Sequence, residues 1–270
     1  MQEETYMKEA KELDRERILQ YLKLDVQDCV YLYIDITNYG ISSAHMKVWY
    51  TEEDGELSLV AMKYYDSYQI YSHKTDCGLD GLCELLRENP AAMVSGRKDL
   101  IERLEGELEG YTATYGIVFC INPSGGSQES EFQITQATQE DTMDIARLMC
   151  SDDNFAAHYT VEGLSGQLAD RIRTKTGRSY IARNDKGKLI AHIATFAETE
   201  DVAVVSGSVV LPEYRKTDVF VQLDSYMGYH MWQERKRLYA FANSKKMIKL
   251  QKMYETVCGE YGKLERRKQF

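Results

Sequence analysis

The sequence predicts an α+β protein made of two domains of similar size. Hydrophobic residues make up 43% of the 270-residue chain and charged residues 28%, a composition that supports a normal globular core and excludes wholesale disorder. A run of turn-forming residues without an apolar side chain, at 122–130, indicates a linker between domains at about 1–121 and 131–270. A similar order of strands and helices on both sides of this run indicates either a weak internal duplication or two α+β domains that coincide in order.

The charge of the chain is unevenly distributed. Residues 1–125 carry 23 acidic and 12 basic side chains, whereas the remainder is close to neutral and the whole chain has a net charge of −10. A protein that binds nucleic acid or an anionic membrane along its whole chain needs a cationic surface. We therefore expect this protein to belong to neither class. The acidic first residues and the short apolar runs indicate neither a signal peptide nor a transmembrane helix, which favours a cytoplasmic protein.

The second half alternates strand and helix signals. Apolar residues spaced 3 and 4 apart, as in Val161, Leu164 and Leu168, predict amphipathic helices. Asn184–Gly187 is typical of a hairpin turn. The predicted elements are strands at 132–134, 179–182, 189–196, 202–211, 238–241 and 261–267, and helices at 139–149, 161–172, 218–235 and 245–257.

The first half has a related order after an opening helix at about 7–22. Residues 30–37 are interpreted as a strand or as the end of a helix–strand connection. The remaining predicted elements are strands at 46–50, 57–64, 69–72, 92–94 and 113–121, and helices at 79–87 and 97–108.

The most informative segment for chemistry is the turn at 209–217. A strand ends at Pro212, Tyr214 and Arg215 follow, and a helix begins directly afterwards. A helix N-terminus with free N–H groups beside a cation suits a phosphate group. An ordinary strand–helix turn with a surface arginine is the alternative interpretation.

Pro212, Tyr214 and Arg215 after a strand resemble the acetyl-CoA motif of the GNAT superfamily of N-acetyltransferases. The resemblance covers about 131–270, and residues 1–121 resemble the partial GNAT-like domain that precedes it in some two-domain members. It implies two tandem GNAT-like domains, each with a mixed, mostly antiparallel sheet flanked by helices. It also implies acetyl-CoA as the acyl donor.

The resemblance assigns cofactor contacts residue by residue. Val209 and Val210 would offer backbone groups to the pantetheine arm, on a strand that splays from the next one. Asn243 matches a position that often contacts the cofactor. The pyrophosphate loop would comprise Arg215, Lys216, Thr217, Asp218, Val219 and Phe220.

Two residues of this loop depart from the family pattern, because Asp218 and Phe220 stand where the family has glycine and a small residue. Glycine lets the backbone approach the pyrophosphate closely. The Asp218 carboxylate would either bring negative charge towards the phosphates or turn back and cap the following helix.

The resemblance assigns Tyr254 as the acid that protonates the departing thiolate. A phenol suits this role because its ordinary pKa exceeds that of a thiol. Tyr254 also falls on an apolar helix face and is alternatively a core tyrosine. Glu200 is the candidate general base, with a solvated hairpin tip as the alternative. His192 is interpreted as a packed histidine, and His158 and Tyr159 as candidate substrate contacts.

These observations predict an N-acyltransferase in which an amine directly attacks acetyl-CoA within a ternary complex. The expected acceptor is a small-molecule or peptide amine, which the acidic surface of the first domain would attract. No metal-ligand spacing is recognised in the sequence. The alternative is a GNAT-fold binding or regulatory module with a degenerate CoA site, and Asp218 and Phe220 motivate it.

Overall fold

The computed structural model describes residues 6–43, 45–123, 130–157 and 159–267. His158 and most of the predicted linker, at 124–129, lie outside the described residues. The chain forms two compact units, the first made of 1–120 and 241–270 and the second of 121–240. The predicted boundary at 131–270 therefore needs correction, because the last 30 residues belong to the first unit.

The amino-terminal part of unit 1 follows most of the predicted element order. Within it, residues 30–37 form the interior of a helix, so the prediction of a strand there is wrong. The elements are β1 (Lys8–Glu9), α1 (Arg15–Leu22), α2 (Val26–Tyr39), β2 (Met46–Glu53), β3 (Glu56–Tyr64), β4 (Ser67–Tyr71), α3 (Asp80–Glu88), β5 (Met93–Arg97), α4 (Lys98–Glu105) and β6 (Tyr111–Ile121).

Unit 2 also follows the predicted order, with one additional four-residue helix at Asp153–Ala156 that the sequence does not predict. Its elements are β7 (Gln133–Gln136), α5 (Thr142–Met149), α6 (Asp153–Ala156), α7 (Val161–Thr174), β8 (Arg178–Arg183), β9 (Leu189–Glu198), β10 (Val202–Val210), α8 (Val219–Gln233) and β11 (Arg237–Ala242). The chain continues through α9 (Lys245–Gln251) and β12 (Thr256–Arg266). None of the helices in the described ranges is both long and apolar enough to span a bilayer.

The sheet of unit 1 has the order β1-β2-β3-β4-β5-β12-β6. The neighbours β4 and β5 are parallel, and the other pairs are antiparallel. Strand β12 lies between β5 and β6 and hydrogen-bonds to both, which is why the end of the chain belongs to unit 1. Apolar side chains of α3 and α4 pack on this sheet in one buried cluster, whereas α2 contacts β4, β5 and β12.

The sheet of unit 2 has the order β11-β10-β9-β8-β7, again with one parallel pair, β10 and β11. Successive side chains of a strand point to opposite faces. Tyr180 accordingly joins the core under α8, while Ile181 joins the core under α5 and α7. Helix α8 buries Val219, Leu223, Met227 and Met231, a stripe at intervals of four residues that fixes the start of the helix against the sheet.

Candidate functional site in unit 2

The parallel strands β10 and β11 pair only at their beginnings. Among the described residues, the register joins Val202–Val204 to Arg237–Tyr239, and β10 then continues to Val210 with pairing to β9 alone. Register shifts relative to β9, between Val204 and Val205 and between Ser206 and Val209, mark two irregularities that bend β10. The carboxyl half of β10 therefore has backbone groups on its β11 side that are not part of a ladder.

A buried histidine hydrogen-bonds to the second irregularity of β10, between Ser206 and Val209. The Nδ1–H of His192 donates to the Gly207 carbonyl at 2.7 Å, and Nε2 lies 3.0 Å from the Ser179 hydroxyl, so the neutral ring satisfies both neighbours. Gly207 has φ +71°, and a Cβ there would lie 2.8 Å from the Phe196 ring. Burial lowers the pKa of His192 to about 4. The interpretation of His192 as a packed histidine agrees with this environment.

The backbone of Val210 faces the open side of β10. Leu211 donates its N–H to the Ile190 carbonyl of β9 at 2.9 Å. Because bonded positions alternate along an antiparallel pair, the N–H and C=O of Val210 point away from β9. Arg215 donates its Nε–H to this carbonyl at 3.1 Å. The Val209 side chain is instead buried in the core under α5 and α7.

The turn after β10 brings two cations to the start of α8. Pro212–Tyr214 form one 3-10 turn, and the Tyr214 hydroxyl accepts a hydrogen bond from the Asn184 amide at 2.9 Å. The Arg215 guanidinium lies 3.8 Å from the Asp152 carboxylate. Lys216 is exposed and forms no salt bridge with a described residue. Its ammonium group is therefore available to an anion.

The two unusual loop residues adopt ordinary backbone conformations. Asp218 has φ −84°, and within the described ranges no residue of 211–220 has a positive φ, so the turn does not need glycine for its backbone shape. The Asp218 side chain is exposed and makes no capping hydrogen bond to a described residue, so the expected capping alternative is wrong. The Thr217 hydroxyl accepts from the Val219 N–H at 3.4 Å instead, while Phe220 is 39% exposed.

Tyr254 and Asn243 lie in the segment that belongs to unit 1. Helix α9 ends at Gln251, six residues before the predicted end, so Tyr254 lies beyond the helix. It is 75% exposed, which contradicts the alternative of a core tyrosine. Asn243 is exposed between β11 and α9. The catalytic and cofactor roles of these two residues stay predictions.

Glu200 lies far from Val210 along the strand. It is exposed at the hairpin between β9 and β10, next to the amino end of β10. At about 3.3 Å per residue, the length of β10 separates this hairpin from the carboxyl end by about 25 Å. The solvated hairpin tip is the interpretation that this placement favours.

The same end of the sheet holds an ion-pair network that no local sequence pattern predicts. Arg178 donates two hydrogen bonds to Glu198, both at 2.9 Å, and two to Glu234, at 2.7 and 2.9 Å. Lys236 lies 3.9 Å from Glu198 and 3.6 Å from Glu234 and donates to the Thr199 carbonyl. The network joins the beginnings of β8 and β11 to the ends of β9 and α8. Because these residues are far apart in sequence, no local motif indicates that they interact.

Unit 1 contains the corresponding parallel pair, and its two strands stay paired close to their carboxyl ends. Strands β4 and β5 pair in register from Ser67 and Met93 through Ile70 and Gly96, near the ends of both strands. A Cβ at Gly96 would lie 2.7 Å from the Ile70 carbonyl oxygen, so the two backbones are in close contact. Within the described residues, this pair therefore has no counterpart of the unpaired half of β10.

Several solved structures have an architecture similar to that of this chain. A Drosophila protein aligns with 97% of this chain and 99% of its own, at TM-score 0.71 and 12% identity. A GCN5-related N-acetyltransferase from Sphaerobacter thermophilus aligns with 98% of this chain and 96% of its own, at TM-score 0.63 and 14% identity. A tandem GNAT protein from the clavulanic acid biosynthesis pathway aligns with 99% of this chain and 100% of its own, at TM-score 0.59 and 11% identity.

No protein-family model matches the sequence, and no curated protein matches it. The structural similarity is nevertheless full-length, and it includes a GNAT-family acetyltransferase from Colwellia psychrerythraea. The chain therefore has the tandem GNAT fold, as the sequence predicts: two α+β units, each with a mixed, mostly antiparallel sheet flanked by helices.

Proposed function

We propose that unit 2 binds an acyl-CoA, with acetyl-CoA as the expected donor, at the turn between β10 and α8, and that the protein transfers the acyl group to an amine. The observation that carries this proposal is the parallel pair β10–β11. Its pairing ends after Val204, while β10 continues to Val210 and leads into the start of α8. Such a strand offers backbone donors at the same edge of the sheet as a helix N-terminus.

The residues at this turn fit a pyrophosphate. The first N–H groups of a helix have no partner inside it, and α8 is a 15-residue helix whose dipole favours an anion at this end. Lys216 and Arg215 add positive charge beside it. The exposed Asp218 carboxylate makes no capping hydrogen bond to the helix N–H groups, although the Thr217 hydroxyl accepts from the N–H of Val219 at 3.4 Å.

A neutral amine attacks the carbonyl carbon of the acyl thioester, so that the C–N bond forms, the C–S bond breaks and the nitrogen gives up one proton to solvent water. In this proposal the Val210 N–H donates a hydrogen bond to the acyl carbonyl oxygen, as an oxyanion donor does. The resemblance assigns the proton donor for the leaving thiolate to Tyr254, whose side chain is accessible. The acceptor is a small-molecule or peptide amine. Glu200 takes no part, since its hairpin lies at the other end of β10.

A second candidate function is a binding or regulatory module that retains the fold without turnover. The observation that favours it is the pair Asp218 and Phe220, because a carboxylate and an aromatic ring stand where close approach of a phosphate requires small side chains. The two functions differ in whether bound acetyl-CoA is consumed in the presence of an amine.

Tyr254→Phe is expected to lower acetyl-CoA turnover about 10²-fold, because it removes the proton donor to the thiolate. Its affinity for acetyl-CoA should change less than about twofold, since the ring is retained. Thiol release is measured with a panel of primary alkylamines, diamines and amino acids. Tyr65→Phe, at another exposed tyrosine, is the matched control and should leave turnover unchanged.

Equal turnover by Tyr254→Phe and the wild type would remove Tyr254 from the mechanism. Binding of acetyl-CoA without thiol release for any amine of the panel would favour the second candidate function.

A further inference from the structure

Unit 1 contains a cavity of about 300 Å³ between α2 and its sheet. Helix α2 forms one wall, and β4, β5, β6, β12 and Phe241 near the end of β11 contribute the others. This volume lies at the lower end of the range for small-molecule sites. All of its lining residues belong to unit 1, so the cavity is separate from the turn between β10 and α8.

Helix α2 is interrupted where it borders this cavity. Cys29 has φ −143° and ψ 27°, which are not helical values, and its thiol donates to the carbonyls of Leu22 and Asp25 at 3.3 and 3.4 Å. A side chain that bonds to the helix carbonyls is one of the recognised causes of a kink. Asp28 precedes this break and lines the cavity.

The carboxylate of Asp28 has no hydrogen-bond partner among the residues that the structure describes. It lies against β12, where a Cβ at Gly259 would approach its Oδ1 to 2.8 Å. Burial raises the pKa of Asp28 to about 6, against the opposing effect of the Arg97 cation. At pH 7.5 the carboxylate is therefore ionised, half-buried and in need of a donor.

Three aromatic rings line the same cavity. Tyr31 stacks on Phe241 with ring centroids 5.4 Å apart, and Phe241 meets Tyr261 edge-on at 5.1 Å. A Cβ at Gly116, the cross-strand partner of Tyr261, would lie 2.5 Å from the Tyr261 ring. Glycine at this position is thus what allows the ring to lie against β6.

We propose that this cavity is a binding site for a small organic ligand that carries a primary ammonium group on an apolar body. The ammonium would donate to the Asp28 carboxylate, and the aromatic rings would contact its body and its charge. The site belongs to unit 1 and does not depend on the acyl transfer proposed for unit 2.

The charges of the lining select against other ligands. Asp28 and Glu260 supply negative charge, and the cations near them already have partners. Arg97 pairs with Asp99 at 2.6 Å, Lys98 pairs with Glu260 at 3.3 Å, and Lys263 lies 5.8 Å from the Tyr261 ring. An anion would meet the unpaired carboxylate of Asp28. An uncharged apolar ligand would bury that carboxylate without giving it a donor.

The test is a calorimetric titration of the full chain at pH 7.5 with 2-phenylethylamine, and with 2-phenylethanol as its uncharged analogue. The amine should bind at least about tenfold more tightly than the alcohol. Asp28→Asn, which keeps the shape of the side chain, should weaken amine binding by about tenfold or more and leave alcohol binding unchanged. Asp54→Asn, at an exposed turn position with φ 53°, is the control and should bind the amine as the wild type does.

Gly259→Ala provides a second variant, since its Cβ displaces the carboxylate of Asp28, and it should also weaken amine binding. The proposal is overturned if the amine fails to bind at 10 mM, a limit on the order of the weakest specific small-molecule affinities. Equal affinities for amine and alcohol, or for the wild type and Asp28→Asn, overturn it as well. Acetyl-CoA binding, measured in parallel, should be the same in Asp28→Asn and the wild type.

Discussion

Replacement of Arg178 by methionine is expected to lower the free energy of unfolding by about 3–5 kcal/mol. The Arg178 side chain is 17% exposed and bonds to both oxygens of Glu198, which is itself 6% exposed. Methionine keeps much of the aliphatic volume, so the loss reports mainly on the charge. Its removal leaves Glu198 buried, with the more distant Lys236 as its remaining cation among the described residues.

Urea unfolding at pH 7.5 measures this effect. Arg147→Met is the matched control, because Arg147 pairs with Asp144 on the surface, where the two side chains are 66% and 53% exposed. An exposed pair contributes about 0–1 kcal/mol. If the two variants lose the same stability, the network around Arg178 does not hold the ends of these strands together.

The second large effect is a pH dependence that originates at His192. Burial lowers its pKa in the native state to about 4, against an ordinary value of 6.5. Between these values the unfolded chain binds more protons than the native one, so stability decreases as the pH falls from 7 to 4. The shift corresponds to a loss of about 3 kcal/mol over this interval. Above pH 7 this group contributes no further change.

His192→Gln removes the titrating ring, so the variant should be less stable at pH 7 and should lose less additional stability on acidification. The free energy of unfolding is measured at several pH values for both proteins. Asp28, whose pKa is raised to about 6, acts with the opposite sign but is present in both, so the difference isolates His192. Equal losses between pH 7 and pH 4 would show that His192 is not the group responsible.

Much of the fold is predictable from the sequence because the local signals are consistent. Alternating apolar residues and the Asn184–Gly187 turn define β8 and β9, and the spacing of Val161, Leu164 and Leu168 defines α7. Residues 30–37 are the exception. Their β-branched and aromatic side chains favour a strand, yet Val30, Ile34 and their neighbours are buried in a helix, since packing overrides intrinsic propensity.

The neighbours of the last strand are not predictable from the sequence, for a different reason. Hydrophobic patterning identifies a strand near 261–267 but not its neighbours. Strand β12 begins at Thr256 and hydrogen-bonds to β5 and β6, so its long-range pairing places the carboxyl terminus in unit 1. A domain boundary drawn from the linker alone misses this return of the chain.

The candidate site was predictable in part. The turn at 209–217 has a local sequence signature, so its strand, its cations and the start of its helix are all predictable from the sequence. The ion network of Arg178 and the cavity at Asp28 were not, because each joins residues that only the fold brings together. Glu200 is the opposite case. It lies next to β10 in sequence, but its side chain is not near Val210 in the structure.

The most direct test of the acyl-CoA site is a calorimetric titration with acetyl-CoA of the wild type, Lys216→Ala, Asp218→Gly and the control Lys186→Ala, an exposed lysine of the β8–β9 turn. We expect the wild type and Lys186→Ala to bind equally, and Lys216→Ala to bind about tenfold more weakly because it loses a charge-assisted contact to phosphate. Asp218→Gly should bind as tightly as the wild type or more tightly.

Binding by Asp218→Gly alone would identify a degenerate site and favour the second candidate function. No heat of binding for any of the four proteins, at acetyl-CoA concentrations on the order of 1 mM, would contradict an acyl-CoA site in unit 2.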